Sequence, residues 1–250
     1  MKPPIRVAVT GAARGIGSAI TRAFLNSGAH VIALDRDNTS LNLARKQFAS
    51  AGETIETMVA DVGDESSVRD TFAAIDRTHG GLDVLVNNAG VSIRRQTIDL
   101  TLEEWEAVLR VNLTGTFLCA KYAGPLLFKK SDSSVVNIAS IMGVSGGGLY
   151  PNPSYHASKG AIVNFTRALA VEWATLGVRV NAVAPTWVET DLTHALTENP
   201  EMMTRIRSMT PLGRIAQPDE VAAAVLYLAS SSAAMVTGHI LAVDGGFLAQ

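Results

Sequence analysis

The 250 residues, of which 47% are hydrophobic and 21 are glycine, suffice for one sizeable core, and we expect a single domain over residues 1–250. A net charge of −2 excludes the excess of basic residues that binding to nucleic acid or to an anionic membrane usually requires, so the expected partners are small molecules. Cys119 is the one cysteine, which excludes an intrachain disulfide and favours a reducing compartment, and no stretch is apolar for long enough to span a bilayer. We therefore expect a soluble, cytoplasmic protein.

Short β-branched runs alternate with amphipathic helical patterns along the chain, which is typical of parallel βαβ units. Continuous apolar runs such as VRVNAVAP predict strands that are covered on both faces, as in a doubly wound sheet. The strands are predicted at Ile5–Val9, His30–Leu34, Thr54–Val59, Val84–Val86, Val135–Ile138, Val178–Ala182 and Ile240–Val243.

The turn after the first strand is rich in glycine. Gly11, Gly15 and Gly17 allow a tight turn and a close backbone approach, where the unpaired N–H groups of a helix start can bind an anion. The pyrophosphate of a dinucleotide fits such a turn. The spacing differs from Gly-x-Gly-x-x-Gly, and taken alone it leaves open an ordinary strand-to-helix turn.

Asp35 ends the second strand, where an acidic residue commonly meets the adenosine ribose. A carboxylate can accept hydrogen bonds from both ribose hydroxyls, whereas a 2′-phosphate would bring like charges together. This predicts NAD as the cofactor, with NADP less favoured. Arg14 and Arg36 argue the other way, because a guanidinium group can accommodate a phosphate.

Tyr155 and Lys159 lie four residues apart in a run of helical periodicity, so both project from one face of one helix. A phenol is a poor base at neutral pH, but a neighbouring cation stabilises the phenolate and lowers its pKa. Tyr155 could then exchange a proton with a carbinol oxygen. By itself this spacing is common and often marks a solvated helix face.

Further motifs follow in a definite order. They are Asp61-Val62 after the third strand, Asn87-Asn88-Ala89-Gly90 after the fourth, Asn112 in VNLTGTF, Ser140 after the fifth, Asn181 and Pro185 in NAVAP, and VDGG at Val243–Gly246. Together with the glycine turn and Tyr-x-x-x-Lys, this set resembles the short-chain dehydrogenase/reductase family. The resemblance implies an α/β, single-domain, doubly wound Rossmann fold with a seven-stranded parallel sheet, in the order 3-2-1-4-5-6-7, and helices on both faces.

The resemblance also implies a role for each matching residue. Tyr155 would be the catalytic acid/base, and Ser140 would hydrogen-bond the substrate oxygen. Lys159 would hold the nicotinamide ribose and lower the pKa of Tyr155, while Asn112 would anchor a water chain. Structural alternatives are a backbone bridge across a helix kink for Asn112 and a turn cap for Ser140. The expected cofactor contacts are Gly11, Arg14, Gly15, Ile16, Gly17, Asp35, Arg36, Asp61, Val62, Asn88, Ala89, Gly90, Tyr155, Lys159, Pro185, Val188 and Thr190.

The substrate walls are expected in residues 141–153, in the Ser92–Gln96 loop and in a substrate loop at about 186–211, beyond the carboxyl ends of the strands. Two departures from the family pattern predict a reshaped wall: a long interval between Ser140 and Tyr155, and Pro185-Thr186-Trp187 in place of Pro-Gly. The candidate substrate contacts are Arg94, Tyr150, Asn152 and Trp187, with Arg95, Glu189 and His194 as further polar residues of these segments.

Hydrogen-bonding residues in these walls suit a polyhydroxylated substrate, and the C-terminal half looks most like NAD-dependent polyol and sugar dehydrogenases. The runner-up is a 3-oxoacyl-thioester reductase, which would use NADPH and a basic patch such as Lys129-Lys130 for an acidic carrier protein. A non-catalytic dinucleotide-binding regulator is a third hypothesis. Relatives are often tetramers, so we expect a homotetramer, and we assign no metal ligands.

Overall fold

Seven parallel strands form one sheet in the order β3-β2-β1-β4-β5-β6-β7, which confirms the predicted fold class. The computed structural model describes residues 4–250, except for the side chain of Ala195. The strands are β1 Arg6–Thr10, β2 His30–Asp35, β3 Glu56–Val59, β4 Val84–Asn87, β5 Ser133–Ile138, β6 Val178–Pro185 and β7 Ile240–Val243.

Two strand boundaries differ clearly from those predicted. β6 runs to Pro185 because β7 pairs with its second half, with Ala182 opposite Ile240 and Pro185 opposite Val243. β3 begins at Glu56 because it is an edge strand whose ladder with β2 starts there, opposite Ile32. Both differences arise from pairing between strands, which the hydrophobic pattern of a single strand does not record.

The helices are α1 Gly15–Asn26, α2 Asn38–Ser50, α3 Glu65–His79, α4 Leu102–Leu109, α5 Gly115–Leu127, α6 Pro153–Trp173, α7 His194–Thr197, α8 Pro200–Met209 and α9 Pro218–Ala229. Asp37 and Asp64 cap α2 and α3 through their carboxylates, as residues at helix starts commonly do. By contrast, Arg14 precedes α1 without a side-chain cap, so the first N–H groups of α1 remain available. In the described chain, no helix is both long and apolar enough to cross a membrane.

Side chains of successive strand residues pack into two different hydrophobic cores, one on each face of the sheet, because side chains alternate between the faces. Val7 and Val9 of β1 pack in the core that holds Phe24 of α1, whereas Ala8 between them packs in the core that holds Phe72 of α3. Helices therefore cover both faces of the sheet. A smaller apolar cluster joins the turn after β5, the segment after β6 and the chain terminus: Ile141, Leu149, Trp187, Leu196, Ile206, Ile215 and Phe247.

Candidate active site

The glycine turn and the start of α1 form the floor of a cleft at the carboxyl ends of the strands. A β-carbon built on Gly17 would lie 2.1 Å from the carbonyl oxygen of Gly11, so only glycine permits this approach of helix to turn. Asn88 fixes the turn from the neighbouring strand end, because its Nδ2 donates to the carbonyl oxygens of Thr10 and Gly11 at 2.9 and 3.0 Å. The uncapped N–H groups of α1 suit an anion such as a phosphate.

Asp35 lies at the end of β2 on the rim of the same cleft. Its Oδ2 accepts a hydrogen bond from the backbone N–H of Ala13, and its Oδ1 accepts one from that of Asp37, both at 3.2 Å. These bonds hold the carboxylate beside the glycine turn. Arg14 and Arg36 also line the cleft, and both are exposed.

Lys159 is buried where α6 passes the end of β5. Its ammonium donates a hydrogen bond to the carbonyl oxygen of Ile138 at 2.6 Å and lies 5.6 Å from the ring centroid of Tyr155. Tyr155 and Lys159 therefore share one helix face, as the spacing predicts, and both border the cleft. Burial lowers the pKa of Lys159 from its ordinary 10.5 to about 8, because a low-dielectric surrounding disfavours the charged form.

The pKa of Tyr155 departs from its ordinary value in the direction opposite to the one expected from the sequence. Burial raises it from 10.0 to about 12, and the hydroxyl of Ser140 opposes that effect without reversing it. The sequence argument considered a neighbouring cation, whereas desolvation of the phenolate dominates in the chain by itself. At neutral pH the side chain is therefore a phenol that holds its proton.

Ser140 follows β5 and opens a short 3₁₀ turn, Ile141–Gly143. Its Oγ accepts the backbone N–H of Met142 at 3.1 Å, so the predicted turn cap is present, and the same hydroxyl borders the cavity beside Tyr155. A β-carbon on Gly143 would lie 2.5 Å from the backbone oxygen of Lys159. The turn and α6 therefore approach closely, which brings Ser140 to the helix that carries Tyr155.

Asn112 is fully buried within a π-helical turn, Arg110–Thr114, between α4 and α5. Its Oδ1 accepts the backbone N–H of Val91 at 2.8 Å, and its Nδ2 donates to the carbonyl oxygen of Val91 and to Oγ of Ser158, each at 3.0 Å. The backbone bridge that the sequence left as an alternative is therefore present. It ties the segment after β4 to α6 one residue before Lys159, which leaves the water-anchoring role a proposal.

The cleft gathers nearly all of the expected cofactor contacts. Two exceptions are Pro185 and Val188, which line a second cavity beside Ser140, while Thr190 lines both spaces. Cleft residues that sequence reasoning did not assign are Ala60, Val91, Val111, Ile138, Asp191 and Leu192. The first three adjoin named motif residues in sequence, so proximity to a motif was a usable signal for them.

The second cavity contains all four candidate substrate residues: Arg94, Tyr150, Asn152 and Trp187. The guanidinium carbon of Arg94 lies 4.5 Å from the ring centroid of Tyr150, and its Nη2 donates to the carbonyl oxygen of Leu192 at 3.0 Å. Trp187 packs edge-on against Phe247, so the chain terminus supports this wall. Ser140 and Tyr155 border the same cavity, so polar groups from several segments surround it.

Three polar residues of the predicted walls have partners elsewhere. Arg95 forms an ion pair with Glu104 at 2.7 Å, and Glu189 accepts a hydrogen bond from Gln217 at 2.7 Å. His194 is exposed and lies 3.4 Å from Glu198. None of the three borders the second cavity in the described chain.

Comparison with known proteins identifies the family to which the chain belongs. A family model described as enoyl-(acyl carrier protein) reductase matches residues 11–248. The galactitol 2-dehydrogenase (L-tagatose-forming) of Cereibacter sphaeroides is 40% identical over 240 residues, which are 96% of this chain and 93% of that protein. The chain belongs to the short-chain dehydrogenase/reductase family.

Two further short-chain dehydrogenase/reductase relatives show the breadth of the match. The 3-oxoacyl-[acyl-carrier-protein] reductase of Thermotoga maritima is 36% identical over 243 residues, 96% of each chain. A crystal structure of a gluconate 5-dehydrogenase from Burkholderia cenocepacia, in complex with NADP and tartrate, is 30% identical with a TM-score of 0.92, and the match covers 98% of this chain and 96% of that one.

Members of the short-chain dehydrogenase/reductase family bind NAD(P), and the residues of the cleft fit that cofactor. Gly17 lets the start of α1 lie directly against the glycine turn, and the uncapped N–H groups there could bind the phosphates of the cofactor. The Asp35 carboxylate can accept hydroxyl hydrogen bonds at the rim. The chain is therefore an oxidoreductase acting on alcohol or ketone groups.

Proposed function

We propose that this protein transfers a hydride between NAD(H) and a secondary alcohol or ketone of a polyol, sugar or sugar acid. The observation that carries the proposal is the set of unpartnered polar atoms beside Ser140. Oδ1 of Asn152 and Oγ1 of Thr186 are buried and have no hydrogen-bond partner within the described residues, and both side chains line the second cavity. Buried polar atoms usually have partners, so a side-chain rotation that turns these two atoms into the cavity would give them hydroxyl groups of a bound ligand as partners.

Arg94 extends this argument to acidic sugars. Its guanidinium lines the cavity and is held by its hydrogen bond to Leu192 of the substrate loop, and its other N–H groups can donate to a carboxylate or to hydroxyl oxygens. Nδ2 of Asn152 donates to Oγ of Ser92 at 2.7 Å, which fixes the amide while its oxygen has no partner within the described residues. The galactitol and gluconate dehydrogenase relatives act on substrates of this hydroxyl-rich class by name.

The proposed mechanism divides the work between cofactor and chain. NAD(H) supplies the hydride chemistry when it is bound. Tyr155 gives its phenolic proton to the substrate oxygen in the reducing direction. In the oxidising direction the phenol must first lose this proton to solvent, and the resulting phenolate then takes the proton of the substrate hydroxyl. Ser140 can donate to and accept from the same oxygen, and Lys159, a cation at neutral pH, stabilises the phenolate that forms.

Cofactor choice rests on Asp35. A ribose with free hydroxyls can donate to this carboxylate, whereas a 2′-phosphate would meet its negative charge. Arg14 and Arg36 line the same cleft and favour the phosphate, so a substitution must decide between the two effects. Asp35→Ser is expected to lower kcat/KM with NAD about 10–100-fold, the equivalent of about 1.5–3 kcal/mol for a hydrogen bond to a charged group, and to raise it with NADP. A wild-type preference for NADP would contradict the NAD proposal.

The runner-up function, reduction of 3-oxoacyl thioesters, has support from the Thermotoga maritima relative. It would require a basic surface for an acidic carrier near the cavity. Lys129 instead forms an ion pair with Asp76 at 2.5 Å, and both Lys129 and Lys130 precede the start of β5, at the sheet edge opposite the cleft. These positions favour the polyol proposal.

The deciding experiment is a scan of initial rates. NADH formation from NAD would be measured with polyols, aldoses, aldonic acids and 3-hydroxyacyl thioesters, and repeated with NADP. We expect turnover with a member of the first three classes. Tyr155→Phe should reduce kcat by at least about 100-fold with cofactor binding retained, because it removes the acid/base hydroxyl. Turnover with thioesters alone would establish the runner-up, and unchanged turnover in Tyr155→Phe would refute the mechanism.

We also propose a homotetramer. Phe117 on α5 and Val171 on α6 expose 46% and 81% of their surface, although both are apolar. Such residues on neighbouring helices suit burial against a second subunit. Sedimentation velocity is expected to give the mass of four chains of 26.4 kDa, and a monomer would refute the proposal.

A further inference from the structure

Two histidines and a glutamate meet at the edge of the sheet opposite the candidate active site. His30 is the first residue of β2, Glu56 is the first residue of β3, and His79 is the last residue of α3. Because the strands are parallel, all of them start at one end of the sheet, and the cleft lies at the opposite end, where the strands finish. The cluster is therefore separate from the proposed reaction.

The side chains of this cluster converge on one point. Nε2 of His30 and Nε2 of His79 each lie 2.9 Å from the same atom, Oε2 of Glu56. All three potential ligand atoms lie within 4.8 Å of one another, and the two imidazole rings have centroids 5.0 Å apart. Three donor atoms from three separate elements thus share one small volume.

We propose that His30, Glu56 and His79 bind a divalent transition-metal ion, with zinc as the favoured occupant. Two imidazole nitrogens and one carboxylate oxygen are a donor set that zinc accepts, at about 2.0–2.2 Å from the ion. A tetrahedral arrangement at those lengths separates ligand atoms by about 3.3 Å, so each histidine nitrogen would move about 0.4 Å away from Oε2 of Glu56. The two nitrogens, which lie within 4.8 Å of each other, would take up the same spacing.

The exposure of the three side chains suits ion entry. His30 is 40% exposed, Glu56 30% and His79 14%, so an ion can enter from solvent and water can complete the coordination. The carboxyl end of α3, where His79 lies, carries partial negative charge and favours a cation.

The bound ion would act as a clamp on the sheet edge. β3 is the edge strand and pairs with β2, and Phe72 of α3 shares a core with Ile32 of β2, so one ion would join three elements that are already neighbours. Ligands that bind the folded chain and not the unfolded chain stabilise it by mass action. We therefore expect zinc to raise thermal stability and to leave kcat unchanged.

The test uses tag-free, full-length protein from which metal has been removed with a chelator. Zinc chloride would be titrated calorimetrically at about pH 7.5, because zinc binds the neutral form of imidazole. We expect one zinc per chain in the wild type and at least a tenfold weaker affinity in His79→Gln and in Glu56→Gln. His194→Gln is the matched control, since His194 pairs with Glu198 on the surface, and it should bind zinc as the wild type does.

A thermal scan gives an independent readout. At a zinc concentration about 100 times the Kd, the wild-type Tm should rise by roughly 5–10 °C, and the site variants should show no rise. Should a variant fail to fold by circular dichroism, X-ray absorption of the zinc-loaded wild type must show two imidazole ligands. The proposal would be overturned if the wild type did not bind zinc, or if His79→Gln and Glu56→Gln bound zinc as tightly as the wild type. It would also be overturned if His194→Gln lost as much affinity as the site variants, or if the spectrum showed no imidazole ligand.

Discussion

Lys159→Met tests the electrostatic state of the site, because it removes a buried ammonium and keeps a side chain of similar length. Folding lowers the pKa of Lys159 from 10.5 to about 8 through desolvation. Below the lower value both the folded and the unfolded chain carry the proton, so the folded chain bears the full cost of burying the charge. Between the two values the unfolded chain binds more protons than the folded chain, and stability must therefore rise with pH.

The size of that rise follows from the displaced pKa. The full displacement corresponds to about 3 kcal/mol, at 1.36 kcal/mol for each tenfold change in proton affinity. A scan from about pH 7 to about pH 10 should capture about 2–3 kcal/mol of it. Burial raises the pKa of Cys119 to about 12, and this titrating group is common to both proteins, so its contribution cancels in the difference between wild type and variant.

The assay is urea unfolding of cofactor-free wild type and Lys159→Met at each pH. The wild type should gain about 2–3 kcal/mol relative to the variant across the scan. Lys121→Met is the matched control, because a hydrogen bond with Glu65 raises the pKa of Lys121 and no gain is expected in this range. A wild-type to Lys159→Met difference that stays constant with pH would refute the argument from burial.

Three further substitutions or reactions test the packing around the site. Gly143→Ala should lower stability by about 1–3 kcal/mol in urea unfolding and lower kcat/KM, because its β-carbon would lie 2.5 Å from the Lys159 oxygen. Gly146→Ala, with no atom within 4 Å, should do neither, and equal effects of the two would contradict this. Cys119 should resist iodoacetamide until the chain unfolds, because it is buried and its pKa is raised to about 12; rapid labelling of the native protein would show otherwise. Asn112→Ala should lower the free energy of unfolding by about 1–3 kcal/mol, because it removes two hydrogen bonds to the backbone of Val91. An unchanged free energy of unfolding would contradict a stabilising role for these hydrogen bonds.

Much of the fold and of the site could be read from local patterns. The alternation of apolar strands with helical periods predicted all seven strands, and the spacing of Tyr155 and Lys159 predicted their shared helix face. Each of these features depends on backbone geometry within a few residues. The motif order, through the family resemblance, supplied the strand order that periodicity alone does not contain.

Other features depend on which distant segments pack together. Desolvation around Tyr155 reverses the expected direction of its pKa change, because burial is set by elements far apart in the chain. Asn152 lines the second cavity whereas Glu189 bonds to Gln217, although both occur in segments predicted as walls.

The clearest division lies between the two ends of the sheet. The glycine turn and the Tyr155–Lys159 pair are short motifs, so the sequence by itself predicted a tight turn at the start of α1 and a shared helix face for Tyr155 and Lys159. His30, Glu56 and His79 carry no such signal, since 26 residues separate the first pair and 23 the second. Only tertiary structure brings them together, because the pairing of β2 with β3 and the return of α3 set distances that no local periodicity encodes.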